Sequence, residues 1–312
     1  MNDAIYKRIE TKTGVNLVDI LSTQLTGSEL NSLLMEVFAK RAKQLTANDL
    51  LRGYEKNRFV KPSENNPILL LEKSLDTLKC FNAFGFRAVQ LSPLVPLGTC
   101  SVVGAVSQDK IVSALRNCEV LADATNALAL EISMQKKHNL VSSDETLKYA
   151  ATPRHVRAQP IAVKGFTPHF SIGCLVSSGV DTGNFAFEKS AVLEHIQALQ
   201  AVLRNVFAVH NIYVKLQKRS GYAQEHFISA VHDHLARHLE NTDVRLDSSS
   251  KENQYYQGLQ FKVVCRLQGR ELEIADGGFV DWTQKLLNNK KERYCISGFG
   301  LELLNRIEEG FL

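Results

Sequence analysis

The sequence predicts an α+β fold: an antiparallel sheet flanked by helices, preceded by a separate N-terminal helical extension. Three observations carry this expectation. Segments of period-two alternation follow one another across short turns, as in Phe86–Pro93 and in the pair 255–267 and 270–276 around Gln268-Gly269. Segments of helical period lie between them, the longest running from Phe187 to Val206. Pro62-Ser-Glu-Asn-Asn-Pro67 then separates a purely helical first part, residues 1–66, from a mixed remainder, residues 67–312. Strands that meet through hairpins, with helices interspersed, favour an antiparallel sheet over a doubly wound parallel one.

The elements are read in chain order. Thr26-Gly-Ser-Glu-Leu opens a helix whose apolar Leu30, Leu33, Leu34, Val37 and Phe38 repeat at i, i+3, i+4, i+7. Thr46 caps a second short helix at Asn48-Asp-Leu-Leu. Leu69 to Phe84 is helical and stops at Gly85, which supplies a left-handed terminus. Phe86–Pro93 is a strand ended by proline. Strands are expected at 100–106, 110–115, 154–163 and 168–178, the last two around a loop at Lys164-Gly165. Helices are expected at 124–137, Phe187–Val206 and 222–240, with a strand at Ile212–Leu216. A helix from Asp281 and another near 300–309 close the chain.

Composition bounds the function. Lys and Arg number 37 against 33 Asp and Glu, a formal net charge of +4, too even for a phosphate-tracking nucleic-acid binder. A hydrophobic content of 44% excludes a disordered chain. The six cysteines, at 80, 100, 118, 174, 265 and 295, include no CxxC pair and sit mostly in apolar context, which reads as buried free thiols in a reducing compartment. No stretch is long and apolar enough for a membrane span, and the N-terminal residues carry no signal-peptide core. A cytoplasmic protein is expected. His234 and His238 stand at i, i+4, but no third ligand is spaced with them, so no metal site is assigned. Cys100 has no histidine paired with it in sequence and is not taken as a nucleophile.

The residues that suggest chemistry lie in five separate segments. Asp123-Ala-Thr125 stands at a helix start; alone it is an N-cap, but a carboxylate beside a hydroxyl also suits a primary ammonium. Arg154-His-Val-Arg157-Ala-Gln159 presents, on a strand, a planar guanidinium that can bind two oxygens of a phosphate or carboxylate. Thr167-Pro-His169-Phe-Ser171 follows. Tyr255-Tyr256 can close a pocket and still donate hydrogen bonds. Asp276-Gly277-Gly278 lets backbone approach a neighbour closely, and Ser297-Gly298-Phe-Gly300-Leu-Glu302-Leu-Leu-Asn-Arg306 ends the series.

In this order the segments resemble the catalytic core of class II aminoacyl-tRNA synthetases over roughly 68–306, most closely the histidyl branch. That branch includes a regulatory paralogue of ATP phosphoribosyltransferase that also lacks an anticodon domain. The resemblance implies that Leu69–Pro93 is the first motif, a helix and strand ending in proline at a homodimer interface. Val156-Arg157-Ala-Gln159 and Pro168-His169-Phe170-Ser171 match the paired strands of the second motif. It implies a catalytic and phosphate-binding role for Arg157, and nucleotide contacts for Gln159, His169 and Arg306. It implies substrate contacts for Asp123, Thr125, Lys251, Tyr255, Tyr256, Gly277 and Gly278.

The departures from the pattern shape the functional expectation. Gln159 replaces a glutamate that reads adenine, and Lys251 replaces an arginine. The branch's glutamine and glutamate on the return strand fall near Ser171 and Leu175, which argues against histidine as ligand. In the third motif Glu302 stands at a glycine position and Arg306 lies one place late, about 100° around a helix. The expectation is therefore a paralogue that binds an amino acid or similar small molecule in a catalytically reduced pocket, with a regulatory or sensor role and no certain cofactor. The alternative is an active ligase that uses ATP and Mg²⁺ to join an amino acid to a non-tRNA acceptor. Expected partners are the small-molecule ligand, a second copy of the chain and a possible protein partner; tRNA is not expected. A full tRNA synthetase and a bare dimeric scaffold complete the range.

Overall fold

The computed structural model describes residues 3–142, 144–160, 167–222, 226–247, 255–267, 270–308 and 310. Lys251, the Lys164-Gly165 loop and the Gln268-Gly269 turn lie outside the described residues.

The chain begins with α1 (Asp3–Thr13) and a single turn, α2 (Leu17–Asp19), that runs into a π-helical turn at Ile20–Gln24. Then come α3 (Gly27–Ala42) and α4 (Ala47–Lys56). Both carry reciprocal capping boxes: Thr26 with Glu29, and Thr46 with Asp49, each satisfy two backbone donors that a helix start leaves open. These four helices bury no residue. Pro67 at the first position of α5 (Pro67–Ala83) follows Asn66, whose side chain accepts from the amides of Ile68 and Leu69. Gly85, at φ 80°, ends the helix as expected.

The expected strand from Phe86 is only β1 (Arg87–Ala88). After β2 (Leu94–Pro96) the chain does not extend as expected at 100–106 but curls into a π-helical turn, Thr99–Val103. Two features bend it. Gly98 sits at φ 89°, and the buried Glu119 carboxylate gathers Gly98 N at 2.8 Å, Cys100 N at 2.9 Å and Gln108 Nε2 at 2.8 Å. The expected strand at 110–115 reduces to β3 (Ser113–Ala114), which pairs with β4 (Cys118–Val120). Next are α6 (Ala124–Lys137), β5 (Leu147–Ala151), β6 (Arg154–Val156), β7 (His169–Ser171) and β8 (Gly173–Val180). The long helix α7 (Ala186–Asn205) leads to β9 (Ile212–Lys218), α8 (Phe227–His238) and β10 (Val244–Asp247). The hairpin strands β11 (Gln257–Leu267) and β12 (Arg270–Val280), α9 (Trp282–Leu287), β13 (Glu292–Phe299) and α10 (Leu301–Glu308) complete the chain.

The main sheet has eight strands in the order β1-β5-β8-β13-β12-β11-β9-β10. Its six central strands pair antiparallel, and the two edge pairs, β1 with β5 and β10 with β9, are parallel. One face carries the larger core, where Leu175, Phe261 and Leu216 meet Leu199, Leu203 and Val231 of α7 and α8. On the opposite face α6 and α9 cover part of the sheet through Leu128, Ile132 and Trp282, packed on Tyr149, Val176 and Tyr294. The uncovered remainder of that face is the floor of a cavity. Burying these side chains supplies about 1.5–3 kcal/mol each, which is what holds a sheet of this width between helices.

Candidate functional site

The start of α6 builds the first wall. Asp123 is its N-cap: Oδ1 accepts from Thr125 N at 2.9 Å and from the Thr125 hydroxyl at 2.6 Å. Oδ2 accepts from the Tyr255 hydroxyl at 2.7 Å. The neighbouring helix donor, Ala124 N, is taken by His155 Nε2 at 2.9 Å, which assigns the neutral ring's proton to Nδ1. Burial and the nearby Arg157 cation lower the His155 pKa to about 4, against the pull of Asp123, so the ring is neutral at physiological pH. Its Nδ1 has no hydrogen-bond partner among the described residues.

Residues 154–159 and β7 build the second wall. Arg157 Nε donates to Ala122 O at 3.0 Å, beside Asp123, and the guanidinium lies over the Phe170 ring at 5.3 Å. The floor is the sheet itself. A row of cross-strand neighbours runs Cys174, Gly298, Asp276, Lys262 over β8, β13, β12 and β11. Together these segments enclose a cavity of about 590 Å³, lined among others by Lys110, Asp123, Thr125, His155, Arg157, Gln159, Ile172, Cys174, Tyr255, Tyr256, Gln260, Asp276, Ile296 and Gly298. That is the size of an ordinary small-ligand pocket.

The two tyrosines sit edge to face with ring centroids 4.9 Å apart. Each serves one carboxylate: Tyr255 hydroxyl to Asp123, and Tyr256 hydroxyl to Asp276 Oδ2 at 3.1 Å. Burial and those carboxylates push both phenols well above their ordinary pKa, so they stay protonated and donate. Asp276 also accepts from Gln260 Nε2 at 3.2 Å. Its carboxyl is pushed upward by the protein packed around it, although the side chain remains open to the solvent of the cavity. Cys100 and Cys174 reach the same space, but burial lifts both thiols to about 12, so neither is an ionised nucleophile.

Of the residues singled out from sequence, Asp123, Thr125, Arg157, Gln159, Tyr255 and Tyr256 line this one cavity. Gly277 and Gly278 do not line it. They lie inside β12, where a side chain has no room: a Cβ on Gly278 would fall 2.4 Å from Leu259 O and 2.7 Å from Tyr256 Cδ1, and one on Gly277 2.4 Å from Phe261 Cζ. Gly278 thus seats Tyr256 and acts on the site indirectly. His169 is turned away; its Nδ1 accepts from Arg154 Nε at 2.8 Å and its Nε2 lies 2.6 Å from Lys61 O. Ser171 and Leu175 do not line the cavity either, and Ile172 and Cys174 take that role on the return strand.

The last motif is engaged elsewhere. Glu302 is buried and gathers Ser171 N at 2.9 Å, Arg154 Nη1 at 3.2 Å, Ser63 Oγ at 2.7 Å and the Asn65 side-chain amide. Arg306 is buried and donates from Nε to Asn65 Oδ1 at 3.1 Å. Neither lines the cavity. The carboxylate expected to face a nucleotide's phosphates instead holds the segment that joins the helical extension to the core. The same segment reaches the second wall, where the Arg58 guanidinium donates to Ala158 O and Gln159 O.

Sequence reasoning left Asp276 and His155 out of the site. Asp276 was visible only as a neighbour of the glycine pair, and its place in the cavity depends on cross-strand register. His155 alternates with Arg154 and Val156 on a two-stranded ribbon, and what it caps is 31 residues away.

Among the described residues no helix is long and apolar enough to cross a membrane, and none of their acidic, histidine and cysteine side chains forms a group able to hold a metal ion. No family model and no curated protein matches the sequence. Solved structures do match. An ATP phosphoribosyltransferase regulatory subunit/histidyl-tRNA synthetase from Bacillus halodurans aligns over 80% of this chain and 83% of its own, at 14% identity and a TM-score of 0.59. The apo histidyl-tRNA synthetase of S. aureus aligns over 81% and 70%, at 10% identity and a TM-score of 0.61. A histidine–tRNA ligase subunit from Alicyclobacillus acidocaldarius aligns over 82% and 98%, at 11% identity and a TM-score of 0.58. At such identities the likeness speaks for architecture, and the architecture is that of a class II aminoacyl-tRNA synthetase-like core.

Proposed function

We propose that the protein is a catalytically reduced class II synthetase-like paralogue that binds an amino acid or a close zwitterionic analogue, in a regulatory or sensor role. One observation carries this reading. Asp123 with Thr125 and Arg157 with His155 face a common cavity from two walls, whereas Glu302 and Arg306 are drawn away into contacts with residues 63–65. The first half of that arrangement suits a zwitterion. An α-ammonium would donate to Asp123 and to the Thr125 hydroxyl, whose own proton is already given to Asp123. An α-carboxylate would accept from the Nη groups of Arg157, whose Nε alone has a hydrogen-bond partner among the described residues.

The second half does not suit ATP. Arg306, His169 and Glu302 are committed to protein partners, and Gln159 is the only one of the expected adenine-side residues at the cavity. No adenylation step is therefore assigned to these residues, and no cofactor is proposed. The ligase reading, with ATP and Mg²⁺, rests on Arg157 and Lys110 in the same cavity.

Thermal-shift titration with the twenty amino acids and with ATP–Mg²⁺, alongside amino-acid-dependent ATP–pyrophosphate exchange, separates the two. Stabilisation by an amino acid, none by ATP–Mg²⁺ and no exchange is the expected result. Exchange above background would establish the ligase instead, and stabilisation by no amino acid would remove the binding role.

A further inference from the structure

We infer that the cavity selects an amino acid with a second cationic group on its side chain, and that Asp276 is the residue that makes the selection. This rests on the amino-acid reading above and adds the class of side chain.

The geometry comes from the sheet. Along the row Cys174, Gly298, Asp276, Lys262, Gly298 carries no side chain, which leaves a narrow trough between Cys174 and Asp276 bordered by Ile172, whose Cγ2 lies 3.3 Å from where a Cβ at Gly298 would stand. Two strand spacings, roughly 10 Å, separate the Cys174 and Asp276 backbones. The walls beside the trough, Ala122, Ile172 and Ile296, are apolar and suit methylene groups. A ligand whose ammonium sits at Asp123 and whose carboxylate sits at Arg157 would send its side chain along this trough toward Asp276.

The charges point the same way. Among the described residues, every hydrogen-bond donor to Asp123 and Asp276 is neutral: Thr125 and Tyr255 for the first, Tyr256 and Gln260 for the second. Both donors to Asp276 converge on Oδ2, and Oδ1 has no partner there. Lys262 is its cross-strand neighbour, but the Lys262 ammonium is 2.5 Å from Glu273 Oε2. The cavity therefore offers two carboxylates without an ion-pair partner among the described residues, faced by the Arg157 guanidinium and the Lys110 ammonium, while Lys262 and Glu273, also in its lining, pair with each other. A basic amino acid, with two cationic groups and one carboxylate, matches that set. A neutral side chain of the same length would desolvate Asp276 Oδ1 and give nothing in return, and an acidic one would be repelled.

The test is isothermal titration of the full chain with L-lysine, L-ornithine, L-norleucine and L-glutamate. Lysine or ornithine should bind about tenfold or more tighter than norleucine, and glutamate should not bind measurably. Asp276→Asn keeps an acceptor for Tyr256 and should erase the preference, bringing the lysine and norleucine affinities together. Norleucine binding as tightly as lysine to the unaltered chain would overturn the inference, as would a lysine preference that survives Asp276→Asn in a variant with an unchanged circular-dichroism melt. Those outcomes leave the amino-acid reading standing. Failure of every amino acid to bind removes that reading and this inference with it.

Discussion

Asp123 shows how one carboxylate can cap a helix and still present charge to a cavity. Its stability role and its binding role come apart under substitution. Asp123→Ala should cost about 1 kcal/mol for the cap and about 1–3 kcal/mol more for the abandoned Tyr255 hydroxyl. Asp123→Asn should leave the denaturation midpoint nearly unchanged and abolish amino-acid binding, because it keeps an acceptor and removes the charge. The glycines of β12 are a second residue-scale case. Gly278→Ala would press a methyl group against the Leu259 carbonyl, which is backbone and cannot swing aside, so a loss of about 1–3 kcal/mol or more is expected in urea unfolding. Buried histidines set the response to acid. His195, between Ser177 Oγ at 2.9 Å and Ser297 Oγ at 2.8 Å, is lowered to about 3 by burial and by Lys148, and His155 to about 4. The unfolded chain titrates these groups near 6.5, so between the folded and unfolded values it binds more protons than the native state. Stability is then fully present above about pH 6.5 and falls as the pH drops toward 4, by about 1.4 kcal/mol per pH unit for each ring. Asp276, shifted upward, opposes this. Urea midpoints measured from pH 4.5 to 7.5 should rise with pH.

At the scale of elements, helix ends were legible and strand ends were not. Thr26, Thr46 and Gly85 announce local hydrogen bonds and one left-handed residue, and each sits where expected. Phe86–Pro93 alternates like a strand but pairs over only two residues, because its partner β5 meets it at the sheet edge. Glu292–Phe299 raised no strand expectation. It is a central strand buried over most of its length, with Gly298 on the cavity floor, and Ser297 stands where an apolar residue would reveal the pattern. Ser297 is tolerated there because His195 takes its hydroxyl. The clamp between α6 and β13 was equally hidden. Lys136 Nζ lies 2.6 Å from Glu292 Oε2, both side chains being 4% exposed. Lys136→Met should cost about 3–5 kcal/mol by stranding the Glu292 carboxylate, and the double variant Lys136→Met with Glu292→Leu should recover much of the loss. Denaturant unfolding of the single and double variants checks both numbers.

For the whole molecule, the colinear order of weak motifs exposed the architecture. The joint between extension and core depended on contacts made more than 230 residues apart, such as Asn65 with Glu302 and Arg306, which no local pattern encodes. The joint also divides the first 66 residues unequally. Helices α1 to α4 bury nothing and leave Ile9, Leu33, Phe38, Leu50, Leu51 and Tyr54 exposed. Residues 58–65, by contrast, reach Ala158, Gln159, His169, Glu302 and Arg306. Helix α3 does touch the core where Asn31 Oδ1 accepts from Arg116 N at 2.6 Å, so removing residues 1–56 should lower stability in urea by only about 0.5–1.5 kcal/mol, the worth of one such hydrogen bond. Removing residues 1–66 should do much more. It takes Ser63 and Asn65 from a buried carboxylate whose remaining donors are Arg154 and Ser171 N, and Asn65 from the Arg306 guanidinium. Each lost hydrogen bond to a charged group is worth about 1.5–3 kcal/mol, and water admitted to the gap returns part of it. The shorter truncation should keep its amino-acid affinity. The longer one should lower the urea midpoint and weaken binding, because Arg58 no longer fastens the Ala158 and Gln159 carbonyls beside Arg157. If both truncations melt and bind alike, the joint is a passive tether and Glu302 keeps its geometry without it.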